Sequence, residues 1–341
     1  MRVVDLYPVI RPFLFALSPE VAHAITLRVL RTALRFGVLP KFIAKRSFAP
    51  VTLLGLSFRN RLGIAAGLDK NATCIDAFGA LGFGFVEVGT ITPLPQSGNE
   101  LPRLFRLVAD RALINRMGFP NDGVQKIIAR LRWRRSDVVC GVNIGKNAIT
   151  PLSDAANDYL ACLEAIYPFA DYIAINISSP NTEELRRLQT GELLRSLLWA
   201  LVRSRSALAR AHGRHVPLLI KLTADLSDGE LQEAARTSVE CGVDGIIVSN
   251  TTSQRGDLKS PKRAEAGGLS GAPLLSRALH AVATLRAAVG PRFPIVGVGG
   301  IDSVESAIAM RAAGADLIQI YTGLVYRGPR LIEEILAAVN V

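Results

Sequence analysis

The chain has 341 residues, 49% hydrophobic and 20% charged, which supplies ample material for a buried core and excludes a disordered chain. Its four cysteines, Cys74, Cys140, Cys162 and Cys241, form no CxxC pair, which argues against a disulfide framework and a zinc site and fits a reducing cytoplasm. The net charge of +11 favours nucleic acid, anionic lipid or an acidic substrate according to where it lies, and Met1 to Ser47 alone holds eight basic residues against two acids.

In chain order, an apolar run from Val9 to Leu17 comes first. Pro19 after Ser18 then reads as a helix start, serine capping and proline at the first helical position, with the helix running to about Phe36. On it Leu27, Leu30 and Leu34 form one stripe, and Arg28, Arg31 and Arg35 the next. Neither run approaches the roughly 20 apolar residues that span a bilayer. Two readings stay open: a helical pair lying on an anionic membrane surface, or a helical cap with its apolar face on the rest of the protein.

A short hairpin is expected at Val51 to Leu54 and Leu56 to Phe58 around Gly55, plugging a barrel floor. Eight apolar runs then read as buried parallel strands: Leu62 to Ala66, Phe85 to Val88, Val138 to Ile144, Tyr172 to Ile177, Leu218 to Leu222, Gly245 to Ser249, Pro294 to Val298 and Leu317 to Ile320. Helical stretches separate them, among them Ala155 to Ile166, Leu193 to His212, Gly229 to Cys241, Leu275 to Val289 and Val304 to Ala313. Eight such βα units predict an α/β fold, a (β/α)8 TIM barrel over residues 48–341, with residues 1–47 as a small N-terminal helical extension. The insertion from Gly89 to Pro120 is too long for a turn and is a candidate for extra active-site structure. His212 and His215 sit where a helix should end, and they read as cations at a helix C-terminus rather than as metal ligands.

Chemistry in such barrels sits where strands end. There the sequence supplies Gly67, Asp69 and Lys70, then Gly89 and Thr90, Asn143 and Lys146, Asn176 with Ser178, Ser179 and Asn181, Lys221 and Thr223, and Ser249 with Asn250, Thr251 and Thr252. The last two strands end in Gly297, Gly299 and Gly300 and in Tyr321, Thr322 and Gly323, backbone donors suited to a phosphate. Asn115, Asn176, Asn181 and Asn250 each offer donor and acceptor, which suits a cyclic ureide, and Lys70 adds a cation for a carboxylate. Lys221 ends a buried strand and therefore needs a partner, which a flavin ring gaining negative charge on reduction would supply.

These residues carry a resemblance. The strings AAGLDKN from Ala65, EVGT from Glu87, PRLFRL from Pro102, NRMGF from Asn115, NISSPNT from Asn176, SNTT from Ser249, GGLSG from Gly267, GVGGI from Gly297 and YTGL from Tyr321 occur in order. Over essentially its whole length the chain resembles the membrane-associated, quinone-reducing class of dihydroorotate dehydrogenases. The resemblance implies that FMN is held by Ala66, Gly67, Leu68, Asp69, Lys70, Thr90, Asn143, Asn176, Lys221, Ser249, Gly271, Gly300, Tyr321 and Thr322. It implies that dihydroorotate, the precursor of orotate, touches Lys70, Asn115, Arg116, Met117, Gly118, Phe119, Asn176, Asn181, Asn250 and Thr251. Ser179 is the implied base, passing its proton on through Thr182 or a water. His23 and Arg106 match positions near a tunnel through which ubiquinone or menaquinone reaches the flavin. Peripheral association with an anionic membrane, at the cytoplasmic face of the inner membrane, follows from the same resemblance. Two positions depart from the family pattern: Ser249 where threonine is commoner, and Pro120 where asparagine is usual.

Two rivals are a flavin-dependent transfer-RNA dihydrouridine synthase and a non-catalytic basic membrane-surface protein. The first expects a cysteine acid and an RNA-binding helical domain, neither of which the sequence offers, so nucleic acid is not an expected partner. The second gives Lys70, Asn115, Asn176 and Lys221 no reason to converge.

Overall fold

The structure is a computed structural model that describes residues 5–39 and 49–339. Two helices, α1 (Tyr7–Ala16) and α2 (Pro19–Arg35), precede a hairpin of β1 (Val51–Leu53) and β2 (Leu56–Phe58). The body then runs β3 (Leu62–Ile64), α3 (Ile75–Ala80), β4 (Phe85–Ile91), β5 (Leu104–Leu107), β6 (Ala112–Asn115), α4 (Val124–Arg132), β7 (Val139–Ile144) and α5 (Ala155–Ile166). It continues through β8 (Tyr172–Asn176), α6 (Gly191–His212), β9 (Leu218–Thr223), α7 (Asp228–Cys241), β10 (Gly245–Asn250) and β11 (Gly268–Gly271). Last come α8 (Leu275–Val289), β12 (Ile295–Val298), α9 (Val304–Ala312), β13 (Leu317–Ile320), α10 (Thr322–Arg327) and α11 (Arg330–Val339).

Eight strands, β3, β4, β7, β8, β9, β10, β12 and β13, close in that order into a barrel, every neighbour parallel. They are the eight apolar runs of the sequence, Leu317–Ile320 unchanged and the others with an end shifted by one to three residues. Fully buried parallel strands carry apolar residues on both faces, which is why they read as continuous runs. One set of side chains packs outward on the helices, as Ile64, Val86, Val142, Ile175 and Ile220 do. The other fills the barrel with Phe85, Val139, Tyr172, Leu219, Ile247 and Val296, and the hairpin closes its floor by setting Phe58 edge-on against Phe85 at 5.4 Å. Two glycines make room for rings inside: a Cβ on Gly63 would stand 2.4 Å from the Phe85 ring, and one on Gly141 2.0 Å from the Tyr172 ring.

The insertion folds into β5 and β6, and β11 joins them to make a three-stranded antiparallel sheet with β6 in the middle. It has its own small core of Phe105, Leu107, Ile114, Leu258 and Leu269. This sheet stands over the end of the barrel where the strands stop.

Ser18 caps α2, its Oγ accepting from the Val21 N–H. Leu27, Leu30 and Leu34 are partly buried against the barrel core, as a cap predicts. A second apolar row of α2, Val21, Ile25 and Val29, faces solvent, together with Val9, Ile10 and Phe13 of α1, while Arg28, Arg31 and Arg35 are exposed beside it. The pair therefore has an inward apolar face and an outward one. Helix α1 docks on α10: the Tyr7 hydroxyl and Arg11 donate to the carbonyls of Val325 and Tyr326, and Phe15 sits edge-on to Tyr326 at 5.5 Å. Among the described residues no helix is long and apolar enough to cross a membrane. The expected division between residues 1–47 and 48–341 falls outside the described residues.

Candidate active site

The strand ends and the three-stranded sheet enclose one cavity. Into it converge Ala66, Gly67 and Lys70 after β3, Thr90 on β4, Asn176, Ser179 and Asn181 at β8, Lys221 on β9, and Ser249, Asn250 and Thr251 at β10. Tyr321 after β13 and the segment Asn115, Met117, Gly118 and Phe119 complete the wall. Leu104, Leu113, Ser270 and Leu274 also line it and went unnoticed in the sequence, because they come from the insertion sheet and the segment after β11.

The amides interlock. Asn143 Nδ2 donates to Glu87 Oε1 at 2.8 Å, and Asn143 Oδ1 accepts from Thr90 Oγ1 and from Asn176 Nδ2. Asn176 Nδ2 also donates to Thr90 Oγ1 at 2.8 Å, while its Oδ1 accepts from Asn250 Nδ2 at 3.2 Å. Asn250 Nδ2 reaches Ser178 Oγ at 2.9 Å, and across the cavity Asn181 Nδ2 donates to Asn115 Oδ1 at 3.1 Å. A chain of amides so connected has its orientations set before any ligand arrives.

Ser179 is buried on the loop after β8, and its Oγ accepts the Asn181 N–H at 3.2 Å. A donor so placed fixes the direction of the hydroxyl and favours the oxygen when negative charge develops on it. Among the described residues no hydrogen bond joins Ser179 to Thr182. The loop itself is tied down by Arg186, which donates to the Ser178 and Thr251 carbonyls and pairs with Asp225 at 2.9 Å. Thr252, Ser253 and Arg186 together hold the Asp225 carboxyl below its ordinary range against the opposing effect of burial.

Lys70 is partly buried and donates to the Gly67 carbonyl; burial, helped by the Arg103 guanidinium, brings its ammonium down to about 8. Lys146 is folded into its own loop, donating to the Asn147 and Thr150 carbonyls, and does not line the cavity. Lys221 was expected to find its partner in a bound ring. The structure supplies one from the protein: Glu87 on β4, 0% exposed, with Oε1 3.5 Å from Lys221 Nζ. Breaking such a buried pair costs about 3–5 kcal/mol, so the two positions stand or fall together.

Several expected residues lie behind the wall rather than in it. Asp69 is buried and accepts the Thr73 and Cys74 N–H groups, fixing the turn before α3. The Leu68 carbonyl accepts from His23 Nε2 at 2.7 Å, and burial lowers His23 to about 4, so it is a neutral ring joining α2 to the segment that carries Lys70. Asn143 sits below Thr90. Thr322 Oγ1 pairs with Ser270 Oγ at 2.8 Å beside Gly271, where a Cβ would stand 2.9 Å from Thr322. Gly300, at φ +77°, lies against the Leu275 backbone so closely that a Cβ would come within 2.5 Å. Arg116 turns away from the cavity, pairing with Glu265 at 2.8 Å and stacking on Phe105. Arg106 gives its guanidinium to the carbonyls of Leu14, Phe15 and Leu17, closing the end of α1. The NRMGF loop keeps a defined shape with Pro120 present, because Gln96 Nε2 donates to the Gly118 and Phe119 carbonyls. No group of metal-ligating side chains occurs among the described residues.

A sequence profile described as Dihydroorotate dehydrogenase matches residues 48–340. Proteins named dihydroorotate dehydrogenase (quinone) from Albidiferax ferrireducens and Leptothrix cholodnii are 48% and 49% identical, with 98% of each chain covered. One of the same name from Verminephrobacter eiseniae is 50% identical over 98% of this chain and 94% of its own. Among solved structures, the ligand-free Eimeria tenella enzyme superposes with a TM-score of 0.86 at 37% identity, covering 94% of both chains. The same enzyme in complex with ferulenol gives 0.85 at 36%, covering 94% of this chain and 90% of that one.

Proposed function

The chain belongs to the dihydroorotate dehydrogenase family, and from that premise we propose how its residues divide the work. The reaction is the oxidation of dihydroorotate in pyrimidine biosynthesis with a quinone as electron acceptor, on a flavin. Family membership sets aside the dihydrouridine synthase and the non-catalytic readings.

FMN is the flavin this donor set suits. The cavity wall offers amide, hydroxyl and ammonium groups to a ring edge from Thr90, Asn176, Lys221 and Ser249, with Asn143 supporting them from behind. Gly67 at φ +101° lies beside the Tyr321 ring, which a Cβ there would touch at 3.4 Å, and both line the cavity. Gly271, Gly300 and Thr322 form the tightly packed corner that would take the phosphate, and Leu68 and Asp69 hold the segment that carries Gly67 and Lys70. A flavin held there would supply a hydride acceptor for carbon six of the substrate and an electron donor for the quinone.

The protein does the rest. Lys70 faces the substrate carboxylate; Asn115, Asn176, Asn181 and Asn250 read the ureide edge; Met117, Gly118 and Phe119 close over it; and Thr251 flanks it. Arg116 acts from behind, locking that segment through Glu265. Ser179 Oγ takes the proton from carbon five as its own hydroxyl proton passes on to Thr182 or a water, with the Asn181 N–H holding the oxygen in place. The single observation that carries this reading is the convergence of Lys70, Ser179, Lys221 and the amides on one cavity from five separate segments. Orotate leaves by the same opening. Residues 1–47 form the quinone-access segment, with His23 and Arg106 fixing α1 and α2 to the body, and residues 48–341 form the catalytic barrel. The outward apolar row and its flanking arginines rest peripherally on an anionic membrane at the cytoplasmic face of the inner membrane, where ubiquinone or menaquinone enters. Nucleic acid has no part in it.

The test is to release the chromophore from purified protein by heat and identify it by mass. FMN, one per chain, is the expected product; FAD, or a colourless protein, would overturn the cofactor assignment.

A further inference from the structure

Glu87 lies below the cavity at the centre of the barrel, 0% exposed, and four strands point donors at it. Asn143 Nδ2 from β7 and Lys221 Nζ from β9 reach Oε1 at 2.8 and 3.5 Å. Gln319 Nε2 from β13 and the Tyr172 hydroxyl from β8 reach Oε2 at 2.8 and 3.1 Å. Four donors match the acceptor-only inventory of an ionised carboxylate. The surroundings are arranged for it: Gly141 leaves space for the Tyr172 ring, and Gln319 turns its amide to Glu87 at the cost of its own Oε1, the one buried side-chain N or O atom without a partner among the described residues. Lys221 is its ion-pair partner, and it lines the cavity that Glu87 does not reach.

We propose that Glu87 is a positioning residue that acts through Lys221 to lower the reduction potential of the bound flavin. The inference rests on the flavin reading above. A lysine ammonium at the wall of the cavity attracts the electron pair that the ring gains on reduction, and alone it would hold that pair against transfer to the quinone. The Glu87 carboxylate, one ion-pair distance behind it, cancels part of that attraction and fixes the ammonium in place. A carrier that must be filled by one substrate and emptied by another gains from such an offset, since a potential set too high would speed the first step and stall the second.

The test is a dye-equilibrated spectroelectrochemical titration of the flavin in the full-length protein, which needs neither dihydroorotate nor quinone. Glu87→Gln should shift the midpoint potential positive, and Lys221→Met should shift it negative. The double variant should return close to the native value because its net charge at the pair is again zero, a sign pattern that a general loosening of the barrel would not produce. Glu87→Asp keeps the charge but draws it back by one methylene, so it should shift the potential positive by less than Glu87→Gln, and it serves if the glutamine variant does not fold. An unchanged or lowered potential in a folded Glu87 variant overturns the proposal. A native protein without flavin absorbance would instead defeat the cofactor reading and this inference with it.

Discussion

The rim of the barrel and the N-terminal helix pair solve opposite problems. At the rim, Thr90, Asn143, Asn176, Lys221 and Ser249 are buried and joined to one another or to Glu87 and neighbouring carbonyls. On the helix pair, Phe13 is 73% and Val29 57% exposed, and attachments to the body run through Tyr7, Arg11, Phe15, His23, Arg106, the Glu20–Arg103 ion pair and the inward leucines. A preorganised polar network suits a step whose charges must be met at fixed points. An exposed amphipathic surface suits a partner that is an extended apolar phase. On the proposed function the two half-reactions call on two kinds of physics, and variants should damage one without the other.

The largest separation should come from Ser179→Ala. It should slow reduction of the flavin by dihydroorotate roughly 10²- to 10⁴-fold, the usual worth of a positioned base, while the flavin stays bound and its reoxidation by a quinone analogue is unaltered. Near-native reduction in rapid-mixing experiments would remove Ser179 from the role.

A smaller effect on the same side is expected from Arg186→Ala. Losing an ion pair and two charge-assisted hydrogen bonds, about 1.5–3 kcal/mol each at most, frees the loop that carries Ser179. Reduction should fall on the order of tenfold and that loop should exchange its amide hydrogens faster; unchanged exchange would show that the latch does not hold it.

On the helix side, Phe13→Asp combined with Val29→Asp should weaken sedimentation with anionic vesicles several-fold and leave reduction by dihydroorotate untouched. Equal loss of both would break the division of labour.

The smallest effect is one of pH. His23 is held at about 4 in the folded protein, below its ordinary value of 6.5, so the unfolded chain binds the proton first and stability falls as pH drops from about 6.5 towards 4. Thermal unfolding followed across that window should show the loss, and His23→Gln should flatten it. Identical pH curves for the two proteins would disconnect His23 from the docking of α2.

The barrel was legible because buried parallel strands and amphipathic helices alternate with different periods, and Gly55 announced the floor hairpin. Strand β11 was not. GLSG has no β-branched run, and its partner in β6 lies 153 residues back, between Gly268 and Asn115. The rim residues could be read one by one, but not the pairing of Glu87 with Lys221, although both are charges set inside apolar runs, EV and LIKL, and that shared anomaly was the available signal. The outward row Val21, Ile25 and Val29 has plain helical spacing, yet the sequence reading rested on the leucine stripe alone and so left the membrane-surface and cap readings both open. Arg116 matched a motif but faces Glu265, because a motif fixes the chain's path and leaves each side chain's direction to its neighbours.

The most direct test of the account is anaerobic stopped-flow on the full-length protein. Dihydroorotate should bleach the flavin absorbance, and a ubiquinone analogue added in anionic vesicles should restore it. A flavin that dihydroorotate leaves oxidised would contradict the assignment of Lys70, Ser179 and the asparagine ring to this substrate, and a bleached flavin that the quinone cannot restore would contradict the role given to α1 and α2.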